Sequence, residues 1–264
     1  MRTDSTVAQR EQAKLDLKNA LAAHNGDTKH EAVVEAIAFL ASLNPTNHPA
    51  ENQALLEGNW LLINAPIFPD RLEDEENRYV YTLGRLAFNK FEPVNLRVAI
   101  ERVSQPVFAT EKENEYTHDI VVEFKIIDEG FPQLKGIVRN LAVCYPLDRD
   151  TVQVRFTGGE LTPKDNQDPE QIKQWLNIFG NVQKTSQVAL LDRLKFWFVQ
   201  TMFGIGKVSA IDTETGKKSF AIKKSPKGLL KLLYLDEELR ITKGNRGTVL
   251  VCQREGTSNK IYSP

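Results

Sequence analysis

The sequence predicts a mainly β fold with helices, of the α+β class. It is an antiparallel β-barrel preceded by an N-terminal helical hairpin and carrying a helical insertion before the last strands. Three observations predict it. A Gly-x-Trp opens the first apolar strand, in Leu55-Leu56-Glu57-Gly58-Asn59-Trp60-Leu61-Leu62-Ile63. Several later segments alternate apolar and polar residues with a period of two, as half-buried strands do. Near the end, Tyr234 to Val251 places Arg240 and a glycine-rich turn between apolar runs. Together they suggest a sheet that closes on itself, with Trp60 plugging one end and a late cationic side chain covering it. The expected organisation is a helical hairpin over residues 1–48, a barrel over 55–254 with a helical insertion at about 168–204, and a tail over 255–264.

The hairpin comes first. Thr6-x-x-Gln9 is a capping-box pattern for a helix reaching about Ala23, and Gly26 is placed to end it. Thr28-x-x-Glu31 opens the second helix, whose Val33, Ala36, Ile37, Leu40 and Ala41 share one face until Asn44-Pro45 stops it. That apolar face must pack on the barrel or a partner.

The strands follow a connector over Asn44 to Asn52. Val94 to Glu101, Ile120 to Ile127 and Val152 to Thr157 alternate clearly, and Leu134 to Val143 reads as a strand with Gly136 as a bulge or bend. Short polar joints such as Asp128-Glu129-Gly130 and Asp148-Arg149-Asp150 favour antiparallel neighbours over helical crossovers. Asp168-Pro169 reads as an N-cap and first turn of a helix to about Phe179. Gln187 to Phe203 is apolar around most of a helical wheel. Ser209 to Ile222 is a hairpin or a loop. Leu230 to Leu235, Leu239 to Ile241 and Thr248 to Gln253 return to the sheet, and Lys243 to Gly247 makes a hairpin turn.

Composition excludes several classes. The 264 residues are 41% hydrophobic and 26% charged with net charge −1, so no basic footprint for nucleic acid exists. No apolar run approaches the roughly 20 residues of a spanning helix, and the N-terminus lacks a signal-peptide core. The chain is expected to be cytoplasmic or peripheral on a membrane and not secreted. Cys144 and Cys252 fall in predicted strands, as buried thiols in a reducing compartment do. Neither they nor His24, His30, His48 and His118 show metal-ligand spacing. His118-Asp119 is an isolated dyad expected at the surface. Asp70 to Glu76 reads as a solvated acidic loop. Gly204-x-Gly206-Lys207 lacks the spacing of a phosphate loop, and no hydrolase or metalloprotease motif occurs.

Three candidate sites remain. Gly58, Trp60, Asp236 and Arg240 are candidates for barrel closure, with the Arg240 guanidinium over the indole, worth roughly 0.5–2 kcal/mol. Tyr79, Tyr81, Phe88, Phe91, Phe108, Phe124, Phe156 and Tyr234 are available to line a cavity, and equally to fill a small barrel. Phe196, Trp197, Phe198, Met202 and Phe203 are candidates to dip into a bilayer surface or cover the barrel mouth, against plain packing on the barrel.

At these residues the chain resembles the fibrillin or plastid lipid-associated protein family of cyanobacteria and plastids. The resemblance spans most of the chain. It rests on Leu43-Asn44-Pro45-Thr46, Leu55 to Leu62, Tyr81 to Asn89 and, most specifically, Tyr-Leu-Asp-x-x-Leu-Arg-Ile-x-Lys-Gly-Asn-x-Gly at Tyr234 to Gly247. It implies a lipocalin-like barrel that binds a lipid, carotenoid or prenylquinone, with no required cofactor and no catalytic residues. It also implies association with the thylakoid or with lipid globules, contacts to photosynthetic membrane proteins, and a role in photoprotection or stress. One departure stands out: Pro66 and Pro69 are expected to end the tryptophan's strand early. The missing transit peptide fits a cyanobacterial chain or a processed plastid one. Two rival functions stay open. A lipocalin-like bilin lyase or phycobiliprotein chaperone would recruit Asp119, Glu123, Arg97 and Arg139. A membrane-associated scaffold would have a filled barrel.

Overall fold

A computed structural model describes residues 2–76, 78–165, 168–180 and 206–256. It is an α+β fold with N-terminal helices and an eleven-stranded antiparallel sheet.

Helix α1 (Arg2–Ala23) and helix α2 (Glu31–Ser42) form the N-terminal pair. Helix α1 runs through Thr6 rather than starting there. The cap of α2 is His30, not Thr28: its Nδ1 accepts from the Ala32 amide at 3.3 Å. Short helix α3 (Gln53–Leu56) then leads into β1 (Gly58–Leu62), which stops well before Pro66.

The remaining elements are β2 (Val80–Thr82), α4 (Leu83–Leu86), β3 (Arg97–Val107), β4 (Tyr116–Thr117), β5 (Ile120–Ile126), β6 (Lys135–Pro146), β7 (Thr151–Pro163), α5 (Pro169–Phe179), β8 (Lys218–Ala221), β9 (Lys227–Leu235), β10 (Leu239–Gly244) and β11 (Val249–Arg254). Strands β3, β5, β6, β7, β9, β10, β11 and β1 each pair with the next, and β1 pairs back with β3, so eight strands close a ring. Strands β2, β4 and β8 add to its outside rows on β3, β6 and β7. The turn between β10 and β11 is the expected hairpin, with Gly247 at φ 85° and the Gly244 amide bonded to Thr248 O at 2.8 Å.

Alternation decides which side chains enter the ring. In β5, Val122, Phe124 and Ile126 are buried inward while Glu123 and Lys125 point out. The irregularity in β6 lies at Leu141/Ala142, not at Gly136. Gly136 answers a different demand: a Cβ there would stand 2.5 Å from Phe124 Cζ and 2.6 Å from Trp175 Cη2. Helix α5, capped by Asp168, lowers Trp175 onto that spot, and its indole donates to Gly216 O at 2.9 Å.

Three apolar clusters result. Val122, Phe124, Val138 and Leu161 meet α4, α5 and Phe91. Trp60, Cys144, Val152, Leu232 and Cys252 fill another part of the interior, and Leu62 touches both. The third lies outside the ring, where Leu17, Leu21, Val33 and Leu40 cover Tyr234, Leu239, Ile241 and Val251. His118 and Asp119 are buried, contrary to the surface expectation, because β4 folds onto β6 and the Ala142 amide donates to Asp119 Oδ1 at 3.0 Å.

Candidate functional site

Strand register assembles a polar floor inside the ring. Trp60 lies opposite Gln105 of β3 and opposite Arg254 of β11, and Cys252 lies opposite Arg240 of β10. All five therefore share the inner face. Trp60 is fully buried, and its Nε1 donates to Leu56 O at 2.8 Å. Two guanidinium groups attend it. Arg254 Cζ stands 4.3 Å from the ring centroid and Arg240 Cζ 4.9 Å.

Their partners differ. Arg254 donates to the carbonyls of Leu55 at 2.5 Å, Glu57, and Glu237 at 2.7 Å. It ties α3, β1 and the β9–β10 turn together beneath the indole. Gly58, at φ 144°, leaves the space its guanidinium occupies, since a Cβ there would collide with Nη1. Arg240 is 2% exposed and donates to Gln105 Oε1 at 2.6 Å, while its Nε has no partner.

Among the described residues no carboxylate pairs with Arg240, and its charged neighbour is a second cation, Arg254. Burial, then the Arg240 charge, pushes His118 down to about 3, so it is neutral at ordinary pH. Burial pushes Cys144 up to about 12 and raises Cys252 as well. In that protonated state both thiols are poor nucleophiles. No group of three His, Cys, Asp or Glu among the described residues is placed to hold a metal.

Exposure grades along the inner face. The floor residues Trp60, Arg240, Cys252 and Gln105 are buried, whereas inward-facing Leu62, Phe156, Leu230 and Leu250 are half-buried. Of this row, Phe156 is a cavity-lining candidate from the sequence, and Leu62, Leu230 and Leu250 are not. No alternation marks Leu250, because Val249 to Cys252 is a continuous apolar run.

The other sequence candidates are dispersed. Tyr81, Phe91 and Phe124 are buried in one cluster, with Tyr79 at its edge. Tyr81 donates to Pro66 O at 2.9 Å and Tyr79 to Asn25 O at 3.0 Å. Phe88 stacks edge-on against Phe156 at 5.2 Å and Phe220 at 6.2 Å, and Phe91 leans on Phe220 at 5.4 Å. Phe108 is exposed, and Tyr234 faces the helices outside the ring. Asp236 also lies on that side. It accepts from Tyr234 Oη at 2.5 Å and pairs with Lys14 at 3.2 Å. Glu123 and Arg139 point outward from β5 and β6, and Arg97 is exposed at the start of β3. Phe196, Trp197, Phe198, Met202 and Phe203 lie outside the described residues. No helix among the described residues is long and apolar enough to cross a membrane.

A closed antiparallel ring with a buried polar floor and a half-buried apolar row on its inner face defines a small-barrel protein. Comparison with known proteins gives the kinship. The PAP_fibrillin family model matches residues 11–253, and the chain belongs to that family. It is 25% identical over 247 residues to a chromoplast-specific carotenoid-associated protein of Cucumis sativus, covering 88% of this chain and 62% of that relative. No solved structure matches the chain.

Proposed function

We propose that the protein is a non-enzymatic carrier of a hydrophobic small molecule, a lipid, carotenoid or prenylquinone, held inside the barrel. The observation that carries this reading is the gradient from a sealed floor at Trp60 to the half-buried Leu62, Phe156, Leu230 and Leu250. Such a lining leaves apolar surface to be covered, and each Å² removed from water contributes roughly 25 cal/mol. The carotenoid association named for the Cucumis sativus relative agrees with it. In this reading residues 1–48 brace a barrel spanning 55–254, and Trp60 with its arginines closes one end. Phe88 and Phe156 line the opening. The place of action is the surface of photosynthetic membranes, in photoprotection or stress.

Purification under mild conditions from a cyanobacterial host, followed by an absorption spectrum, organic extraction and mass spectrometry, tests the reading. A stoichiometric lipid, carotenoid or quinone is the expected result. A chain that carries none, and that takes up none when offered, contradicts it.

A further inference from the structure

Arg240 is a cation in an unusual position. It is 98% buried by its 2% exposure, it faces the interior of the ring, and its Nε–H meets no acceptor. An unpaired buried charge costs several kcal/mol, and proteins normally provide an anion. Among the described residues none is provided. Arg240 takes part in no ion pair, its one oxygen acceptor is the neutral amide of Gln105, and the neighbouring Cys252 and Cys144 are held protonated by burial. His118 beside it is uncharged.

Closing the barrel does not need a second, deeper cation at Arg240. Arg254 already covers Trp60 at 4.3 Å and anchors itself to three backbone carbonyls. Arg240 adds a second guanidinium, held by the Gln105 amide and the Cys252 thiol and by no anion, deeper on the same face. Beyond it on that face come Thr242, Leu250 and Leu230, so the route from the half-buried lining to Arg240 is mostly apolar.

We infer that the barrel takes a single-chain amphiphile head first, with a carboxylate held by Arg240 and the apolar chain against Leu230, Leu250, Leu62 and Phe156. This rests on the reading of the interior as an apolar site and narrows it to ligands with an acidic oxygen head. A carboxylate is an acceptor-only anion that fits the planar guanidinium, and a charge-assisted bond in a dry site is roughly twice as strong as a neutral one. Hydrocarbon ligands leave Arg240 unpaired.

The test uses the full chain stripped of lipid, titrated with oleate and with methyl oleate, which share a chain and differ in head charge. Oleate is expected to bind about tenfold or more tightly than the ester. Arg240→Gln is expected to remove that preference while leaving ester binding in place. Equal binding of acid and ester overturns the inference and leaves the carrier reading standing. Binding of neither overturns both. A preference for oleate that survives in folded Arg240→Gln also overturns the inference. Should that variant fail to fold, the ¹³C-carboxyl signal of oleate bound to the unaltered protein decides. His118, Cys144, Cys252 and Arg254 face Arg240, and the first three keep one protonation state between pH 4 and 7. A carboxylate against Arg240 stays ionised across that range, whereas a signal that titrates as it does in water contradicts the head-first pose.

Discussion

The guanidinium of Arg254 lies 4.3 Å from the ring centroid of Trp60, and three carbonyls from two distant parts of the chain hold it there. The contact joins the first and last strands of the ring and is the point where the barrel closes. Arg254→Met keeps much of the stem but removes the charge and every donor. The expected loss is about 3 kcal/mol, since hydrogen bonds from a charged donor and the contact with the indole contribute about 1–3 kcal/mol apiece and are not additive. Arg254→Lys is expected to lose about half as much. Urea denaturation of the two variants checks both values.

His118 makes the fold sensitive to mild acid. Burial, with the Arg240 charge adding to it, lowers its folded pKa to about 3 from the ordinary 6.5. Between those values the unfolded chain binds a proton that the folded chain refuses. Stability therefore falls as pH drops below about 6.5, by about 1.4 kcal/mol per pH unit, until both states are protonated. His118→Gln is expected to flatten the slope between pH 6.5 and 4.5, measured as the urea midpoint against pH.

Gly136 leaves no room for a methyl group. Gly136→Ala sets a Cβ against Phe124 and Trp175, both fully buried, and is expected to cost about 1–3 kcal/mol by overpacking. The thermal midpoint measures it, and near-ultraviolet circular dichroism should show a changed environment around Trp175.

The helix pair is fastened to the barrel by charge as well as by its apolar face. Lys14 reaches Asp236 at 3.2 Å and Glu238 at 2.9 Å, and Lys18 reaches Glu238 at 2.5 Å. Burial pushes both carboxyls up, but hydrogen bonds from Tyr234 to Asp236 and from the lysines to Glu238 outweigh it, so both pKa values lie below the ordinary 3.8 and 4.5. A depressed carboxyl stabilises above its unfolded pKa and loses that contribution as pH falls through the folded one. The fastening is therefore expected to fail below about pH 4. Lys14→Met should cost about 1–3 kcal/mol at pH 7 and much less near pH 2. Hydrogen exchange of α1 amides at the two pH values reports it.

Much of this architecture is visible in short stretches of sequence, because alternation is local. Val122, Phe124 and Ile126 announce their face, Asp168-Pro169 its helix, and Gly244 to Gly247 its turn. The Gly58 to Trp60 spacing locates the closing strand. Arg254 did not stand out, since its value comes from pairing β11 with β1, a contact that no local period reports. His118-Asp119 looked exposed for the same reason: two polar residues are buried because β4 happens to cover them. The aromatic candidates were chosen by residue type, which does not say which way a side chain points. Tyr234 sits one residue off the inward register and faces the helices, while Leu250 and Leu230, less conspicuous, face the interior.

The most direct test of the barrel as the binding site is a fluorescence titration with diphenylhexatriene, a neutral apolar probe, of three proteins. They are the unaltered chain, Leu250→Trp on the inner face, and Phe39→Trp on the exposed face of α2. The account predicts one probe per chain, unchanged affinity in Phe39→Trp, and about a tenfold loss in Leu250→Trp, equivalent to about 1.4 kcal/mol, with the fold retained. Undiminished binding in folded Leu250→Trp would place the probe elsewhere and contradict the account.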